Sequence, residues 1–455
     1  MAYPRKTIFV TLLRGALIRN LLRTGVVRRL LDADVRVVLL TPNFNDEELF
    51  KEFAHPNLII EPLRVSKKRF QRFLEEVMRG AVFNRTVHFL YRYSIDGRHH
   101  PKRAFYAPRM LLVAPLRFVP GFKYFIRWVD LKINPENEHD YLFRKYKPDL
   151  VFNSASRGDQ GVLKSAQRFG VLTVDMPKSW DNLSKNLFNV KADRLIVWSP
   201  FMKGQAIRLQ GYKAEEIIVT GVPQFDFYAR KDGLQSREEF FKKVGIDPRK
   251  KTILYTSSGG DVCDEAYFVE LVREFIESGD LPDTNILVRP HVGYKNDVGR
   301  FSRLRGVKGV VIDMTDKQQS DKFKDNWDTS VGHVYHLVNS LYHADVVINV
   351  TSTMIFDATA CGTPVINLRF DSSGSSKRHS VARYYGIDYV KAVQDSGATL
   401  VATNQDEYKD ALRLVLAGGK KQTPATQNLI DKFLFKNDGK SAERLADALI
   451  KLAVT

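Results

Sequence analysis

Along this chain, short continuous apolar runs alternate with longer stretches in which apolar residues return every three or four positions. "KTIFVTLLRG" (6–15) is a buried strand running into a turn, "ALIRNLLRTGVVRRLLD" (16–32) has helical spacing, and "VRVVLLTP" (35–42) is the next strand. Runs without polar alternation belong to strands covered on both faces, as in parallel sheets. The pattern returns in "KPDLVFNSAS" (147–156), "VLTVDMPKSWDN" (171–182) and "ADRLIVWSP" (192–200). A second series runs through "KTILYTSSGG" (251–260), "TNILVRPHVGY" (284–294), "VKGVVIDM" (307–314), "ADVVINVTST" (344–353) and "TPVINLRF" (363–370). The polar stretch 228–251 separates the two. This layout predicts an α/β protein of two Rossmann-like domains, 1–227 and 228–455, whose parallel sheets face a central cleft.

Charge alters that picture at one place. The chain carries a net +18, and residues 64–132 alone hold 16 Lys or Arg against Glu75, Glu76, Asp96 and Asp130. The segment is rich in aromatics, with Phe118, Phe122, Tyr124, Phe125 and Trp128 close together. It reads as a helical insertion. Basic residues interleaved with rings suit a surface lying on an anionic membrane, and a helix with core aromatics and solvated charges gives the same composition. No run is long enough to span a bilayer, and Arg14 interrupts the first apolar stretch before it reaches the length of a signal core. Cys263 and Cys361 are too few for a disulfide framework. The expectation is a cytoplasmic protein, peripheral on the inner face of the plasma membrane, in which the sequons at Asn84, Asn182 and Asn349 carry no glycan. Basic charge alone gives only nonspecific nucleic-acid binding, and no module for such recognition is present. Oligomeric state is not legible.

Open parallel sheets bind ligands at the carboxyl ends of their strands, and three such ends in the second half carry suitable groups. After the strand at 251–256 come Ser257, Ser258, Gly259 and Gly260, where absent Cβ atoms let backbone N–H groups approach phosphate oxygens. Arg289 and His291 follow the next strand. Thr351, Ser352 and Thr353 stand where a helix begins, with Asp357 more than a turn later, within reach of a ribose hydroxyl. Each has a plainer alternative: Ser352 suits a helix cap, the glycine pair a turn, Arg289 a surface charge, and His291 a satisfied loop histidine. The Asp32–Asp34 pair precedes its strand, at the wrong sheet edge for a metal site, and reads as a turn.

The ordered set "SWDN" (179–182), "VTGVPQFDFY" (219–228), "ILYTSSGG" (253–260), "LVRPHVGY" (287–294) and "HADVVINVTSTMIFDATACGTPVINL" (343–368) resembles the GT-B superfamily. Within it, the likeness is to CDP-glycerol glycerophosphotransferase-like proteins and related surface-polysaccharide glycosyltransferases. The resemblance implies a nucleotide donor in the C-terminal domain and an acceptor in the N-terminal one. It would put Arg289 and His291 near the donor phosphates, Ser352 and Thr353 on the diphosphate, and Asp357 near ribose. Those phosphotransferases carry Trp-His-Gly where this chain has Trp180-Asp181-Asn182, a Pro-Thr-Trp-Arg-like turn where it has Thr256-Ser257-Ser258-Gly259, and Asp-Tyr-Ser-Ser where it has Asn349-Val350-Thr351-Ser352. The departures favour a nucleotide sugar over CDP-glycerol. Asp181, standing in place of the histidine, is the first candidate base, although Asp-Asn also suits a turn; Asp159, after another strand end, is the second.

The expected activity is metal-independent glycosyl transfer, without a cofactor, from a nucleotide sugar to a glycan or lipid-linked glycan of a surface polysaccharide. A polyol-phosphate transferase using CDP-glycerol and a UDP-sugar 2-epimerase of the same fold are the alternatives.

Overall fold

The computed structural model describes residues 5–64, 69–92, 111–154, 160–259, 263–291, 294, 297–313, 330–372, 380–419 and 422–454. Two wholly parallel sheets organise it. The first takes β1 (Thr7–Thr11), β2 (Arg36–Thr41), β3 (Leu58–Pro62), β4 (Leu150–Asn153), β5 (Leu172–Asp175), β6 (Arg194–Val197) and β7 (Ile217–Val219) in the order 3-2-1-4-5-6-7. The second takes β8 (Lys251–Thr256), β9 (Thr284–Arg289), β10 (Val310–Ile312), β11 (Val346–Asn349), β12 (Val365–Leu368) and β13 (Leu400–Ala402) in the order 10-9-8-11-12-13. Each order reverses once, between β1 and β4 and between β8 and β11, and such a reversal opens a crevice at the strands' carboxyl ends. Two Rossmann-like sheets across a cleft, the GT-B arrangement, are what the apolar pattern predicts.

The helical stretch 16–32 is interrupted. A π-helical turn, Ile18–Arg23, ends where the Thr24 hydroxyl donates to the Asn20 carbonyl, and Gly25 takes a φ of +86° before Val26–Asp32 resumes. The C-terminal helix Ser441–Val454 packs back on the first half: Arg29 pairs with Asp447 at 2.8 Å, and Asp226 accepts the N–H groups of Ser441 and Ala442 at 2.9 and 2.8 Å.

Within the basic insertion, the helices Arg69–Ala81, Arg85–Arg92 and Phe122–Ile133 enclose a small core of Leu74, Met78, Val87 and Ile126. Helical spacing turns Phe122, Ile126 and Val129 inward and leaves Tyr124, Phe125 and Trp128 outside, each more than half exposed. So the aromatic cluster divides between the two readings of its composition. Phe122 packs on the core. Arg127 is also buried, its guanidinium donating to the carbonyls of Phe188 (2.9 Å) and Gln210 (3.0 Å), and it is no surface charge. Among the described residues no helix is long and apolar enough to cross a membrane.

Candidate functional site

Where β8 ends, the chain turns through Ser257, Ser258 and Gly259. A buried glutamate, Glu265, fixes this turn: it accepts from the Ser258 N–H (3.0 Å), the Ser258 hydroxyl (2.7 Å), the Ser257 hydroxyl (3.3 Å) and the Tyr255 phenol (3.1 Å), and it pairs with Arg300 at 3.1 Å. Burial pushes the Glu265 pKa up, and Arg300 opposes that. Gly259 has a φ of +72°, and a Cβ there would stand 2.3 Å from the Tyr294 ring, so only glycine admits this close approach. Gly260 lies outside the described residues, as does Asp159.

Arg289 ends β9 buried, its guanidinium donating to Asp313 at 2.7 Å, while Asp313 also meets His336 Nε2 at 2.8 Å. The His291 N–H donates to Asp297 at 2.7 Å, and its ring packs edge-on against Tyr294 with centroids 4.9 Å apart. Asp357 is buried too: the Tyr228 hydroxyl donates to it, and burial raises its pKa against the opposing effects of that bond and of Arg19. These three side chains are engaged within the protein.

A cavity of about 140 Å³ lies in the cleft and draws both halves together. From the first half come Trp180 and Asp181, on the loop after β5; from the second come Ser258, Thr351, Ser352 and Thr353 at the ends of β8 and β11. Tyr294, Tyr384, Tyr385 and Tyr389 supply aromatic wall, and Asn367 joins it from β12. Trp180 is locked edge-on between Phe356 (4.7 Å) and Tyr389 (4.8 Å), both from the second half. Asp181 stands at the N-cap of Asn182–Lys185, yet its side chain makes no cap bond; it pairs with Lys185 and accepts from Asn182 Nδ2 at 3.1 Å. The Ser352 hydroxyl accepts from the Met354 N–H at 3.3 Å, which is capping, whereas Thr353 makes no side-chain cap bond.

The structure thus brings Asp181, Ser258, Thr351, Ser352 and Thr353 to one cavity. It engages Ser257, Arg289 and Asp357 elsewhere and sets His291 behind Tyr294. Sequence reasoning missed the tyrosine wall, although "RYYGIDY" (383–389) follows the second series of strands and its density of rings was a usable signal. Glu265 offered none, since an acid beginning a helix is ordinary helix chemistry.

The fold of UDP-GlcNAc 2-epimerase from Methanocaldococcus jannaschii is similar, with 16% identity, a TM-score of 0.54 and coverage of 98% of this chain and 99% of that one. UDP-GlcNAc 2-epimerase from Neisseria meningitidis, solved bound to UDP-GlcNAc, gives 11% identity, a TM-score of 0.55, and 98% and 100% coverage. A putative UDP-N-acetylglucosamine 2-epimerase from Listeria monocytogenes gives 13% identity, a TM-score of 0.55, and 98% and 96% coverage. At these identities the likeness is one of fold. No curated protein matches the chain. The family model described as CDP-Glycerol:Poly(glycerophosphate) glycerophosphotransferase matches residues 163–451, which take in both sides of the cavity. The chain is therefore a member of the CDP-Glycerol:Poly(glycerophosphate) glycerophosphotransferase family, a transferase on a GT-B fold.

Proposed function

We propose that the protein transfers a sugar from a nucleoside diphosphate donor to a hydroxyl of a surface-polysaccharide acceptor, with Asp181 as base. The observation that carries this is the composition of the cavity: a carboxylate from one half faces a cluster of hydroxyls from the other. Asp181 takes the proton of the acceptor hydroxyl as its oxygen bonds to the anomeric carbon. The bond from that carbon to the diphosphate breaks, and the nucleoside diphosphate leaves with the electron pair. Hydroxyls of Thr351, Ser352 and Thr353 meet the charge that develops on the diphosphate. The aromatic wall suits a ring with apolar faces and polar edges, which a sugar or base has and glycerol lacks.

Family membership favours a second reading, polyol-phosphate transfer. There the acceptor oxygen would attack phosphorus and release CMP from CDP-glycerol, whereas sugar transfer releases a nucleoside diphosphate. The released nucleotide separates the two. If the hydroxyl cluster holds the diphosphate, Ser352→Ala with Thr353→Val weakens nucleotide binding by about 1–3 kcal/mol in calorimetry with the fold intact. Unchanged affinity would leave Ser352 a helix cap.

A lipid-linked acceptor is supported by the outward rings of the insertion helix. Exposed Tyr124, Phe125 and Trp128, with Lys132 on the same helix, suit adsorption to an anionic bilayer. Electrostatic attachment fades with salt, because the Debye length is about 10 Å at 0.1 M, while ring insertion leaves a residual. Phe125→Ser with Trp128→Ser should remove the salt-resistant binding to phosphatidylglycerol vesicles and keep the melting temperature, since neither ring is core. Failure of the wild type to bind such vesicles at low salt would reject the membrane role.

A further inference from the structure

Asn349 and Asn367 are direct register partners on β11 and β12, so their side chains project from the same sheet face. Both are buried, and Asn367 lines the cavity. Asn367 Nδ2 donates to Asn349 Oδ1 at 2.8 Å, which leaves Asn349 Nδ2 buried with no partner. A buried donor without an acceptor is costly, and native proteins rarely keep one. Turning both amides over, at almost no steric cost because the two ends of an amide are nearly the same size, gives this donor an acceptor and leaves the Asn349 carbonyl oxygen in its former place, a less costly orphan than an N–H. Asn349 then donates to the Asn367 carbonyl, and Asn367 Nδ2 is released to the cavity. The strand ends carrying the pair are held together by Tyr385, whose hydroxyl lies 2.8 Å from the carbonyls of both Val350 and Leu368.

We propose that Asn367, oriented by Asn349, reads a carbonyl oxygen on the base of the nucleotide donor. This rests on the donor reading of the cavity. Asn367 lines the cavity together with tyrosines, whose rings suit a flat base, and a phosphate is better met by the hydroxyls of Thr351, Ser352 and Thr353. Of the common bases adenine alone has no carbonyl oxygen, so ADP is the nucleotide that this site excludes. Asn367 is the contacting residue and Asn349 a positioning residue.

Asn349→Asp distinguishes orientation from bulk. An ionised carboxylate only accepts, so it fixes Asn367 Nδ2 upon itself and turns the Asn367 carbonyl toward the ligand's own carbonyl. Protonated, the same carboxyl donates to Asn367 and frees Nδ2, and burial raises its pKa into an accessible range. Calorimetry is run with UDP, CDP, GDP, ADP and inorganic pyrophosphate on wild type and Asn349→Asp from about pH 5 to 8. The expected result is wild-type binding of ADP at least about 10-fold weaker than of the best carbonyl-bearing nucleotide. In the variant, affinity for that nucleotide falls about 10-fold or more at pH 8 and recovers toward pH 5, while pyrophosphate is unaffected. Asp181, the other carboxylate of the wall, is common to both proteins, so the wild-type pH profile is the reference. ADP binding as tightly as the others, or a loss in the variant that does not recover in acid, would overturn the role of the pair alone. A wild type that binds none of these nucleotides would overturn the donor reading with it.

Discussion

Asp181→Asn lowers turnover by about 100-fold or more and leaves donor affinity near the wild-type value. The substitution keeps the shape of the side chain and removes only its capacity to take a proton, so a base is lost and a wall is kept. Asp181 is well placed for this: it lines the cavity, makes no cap bond with its helix, and is held in place by its pair with Lys185. Steady-state and single-turnover rates with the same donor check it. Turnover of Asp181→Asn near the wild-type rate would move the base elsewhere, with Asp159 next to test.

Lys164→Met has the largest expected effect on stability, about 3–5 kcal/mol, the usual consequence of breaking a buried ion pair by removing one partner. Lys164 is completely buried and pairs with Asp130 at 2.8 Å and Glu136 at 2.9 Å, tying the insertion helix and the loop after it to Gly161–Phe169. Burial already raises the Glu136 pKa, with Lys164 opposing the rise. Without the ammonium, Glu136 rises further. A carboxyl whose folded pKa lies above its unfolded value favours the folded state at low pH and loses that contribution as pH climbs through the folded value. The deficit of Lys164→Met is therefore smaller near pH 5 than near pH 8, as urea unfolding at the two pH values reads directly. An equal deficit at both would mean that the carboxylates find other partners.

The fold was legible where burial is two-sided. Central strands such as β1, β4, β8 and β11 are unbroken apolar runs, and each appears in the sequence pattern. The strands that the pattern did not isolate, β3, β7 and β13, are all edges of their sheets and partly exposed, and their apolar runs, Leu58–Ile60, Ile217–Val219 and Leu400–Ala402, are too short to stand out from the surrounding sequence. The site was legible in proportion to locality. Thr351, Ser352 and Thr353 follow their strand directly and do reach the cavity. Arg289 and Asp357 meet partners far along the chain, Asp313 and Tyr228, and only the packed structure reveals that those side chains are engaged. The insertion shows the same limit: its helical period separates inward Phe122 from outward Phe125, whereas the burial of Arg127 depends on carbonyls of Phe188 and Gln210.

Calorimetric titration of the wild-type protein with UDP, GDP and CDP, repeated on Ser352→Ala with Thr353→Val, tests most directly whether this cavity is a donor site. Saturable binding of at least one of these nucleotides, weakened about 10-fold or more in the double variant, is the predicted result; binding of none, or binding that the variant leaves unchanged, would contradict it.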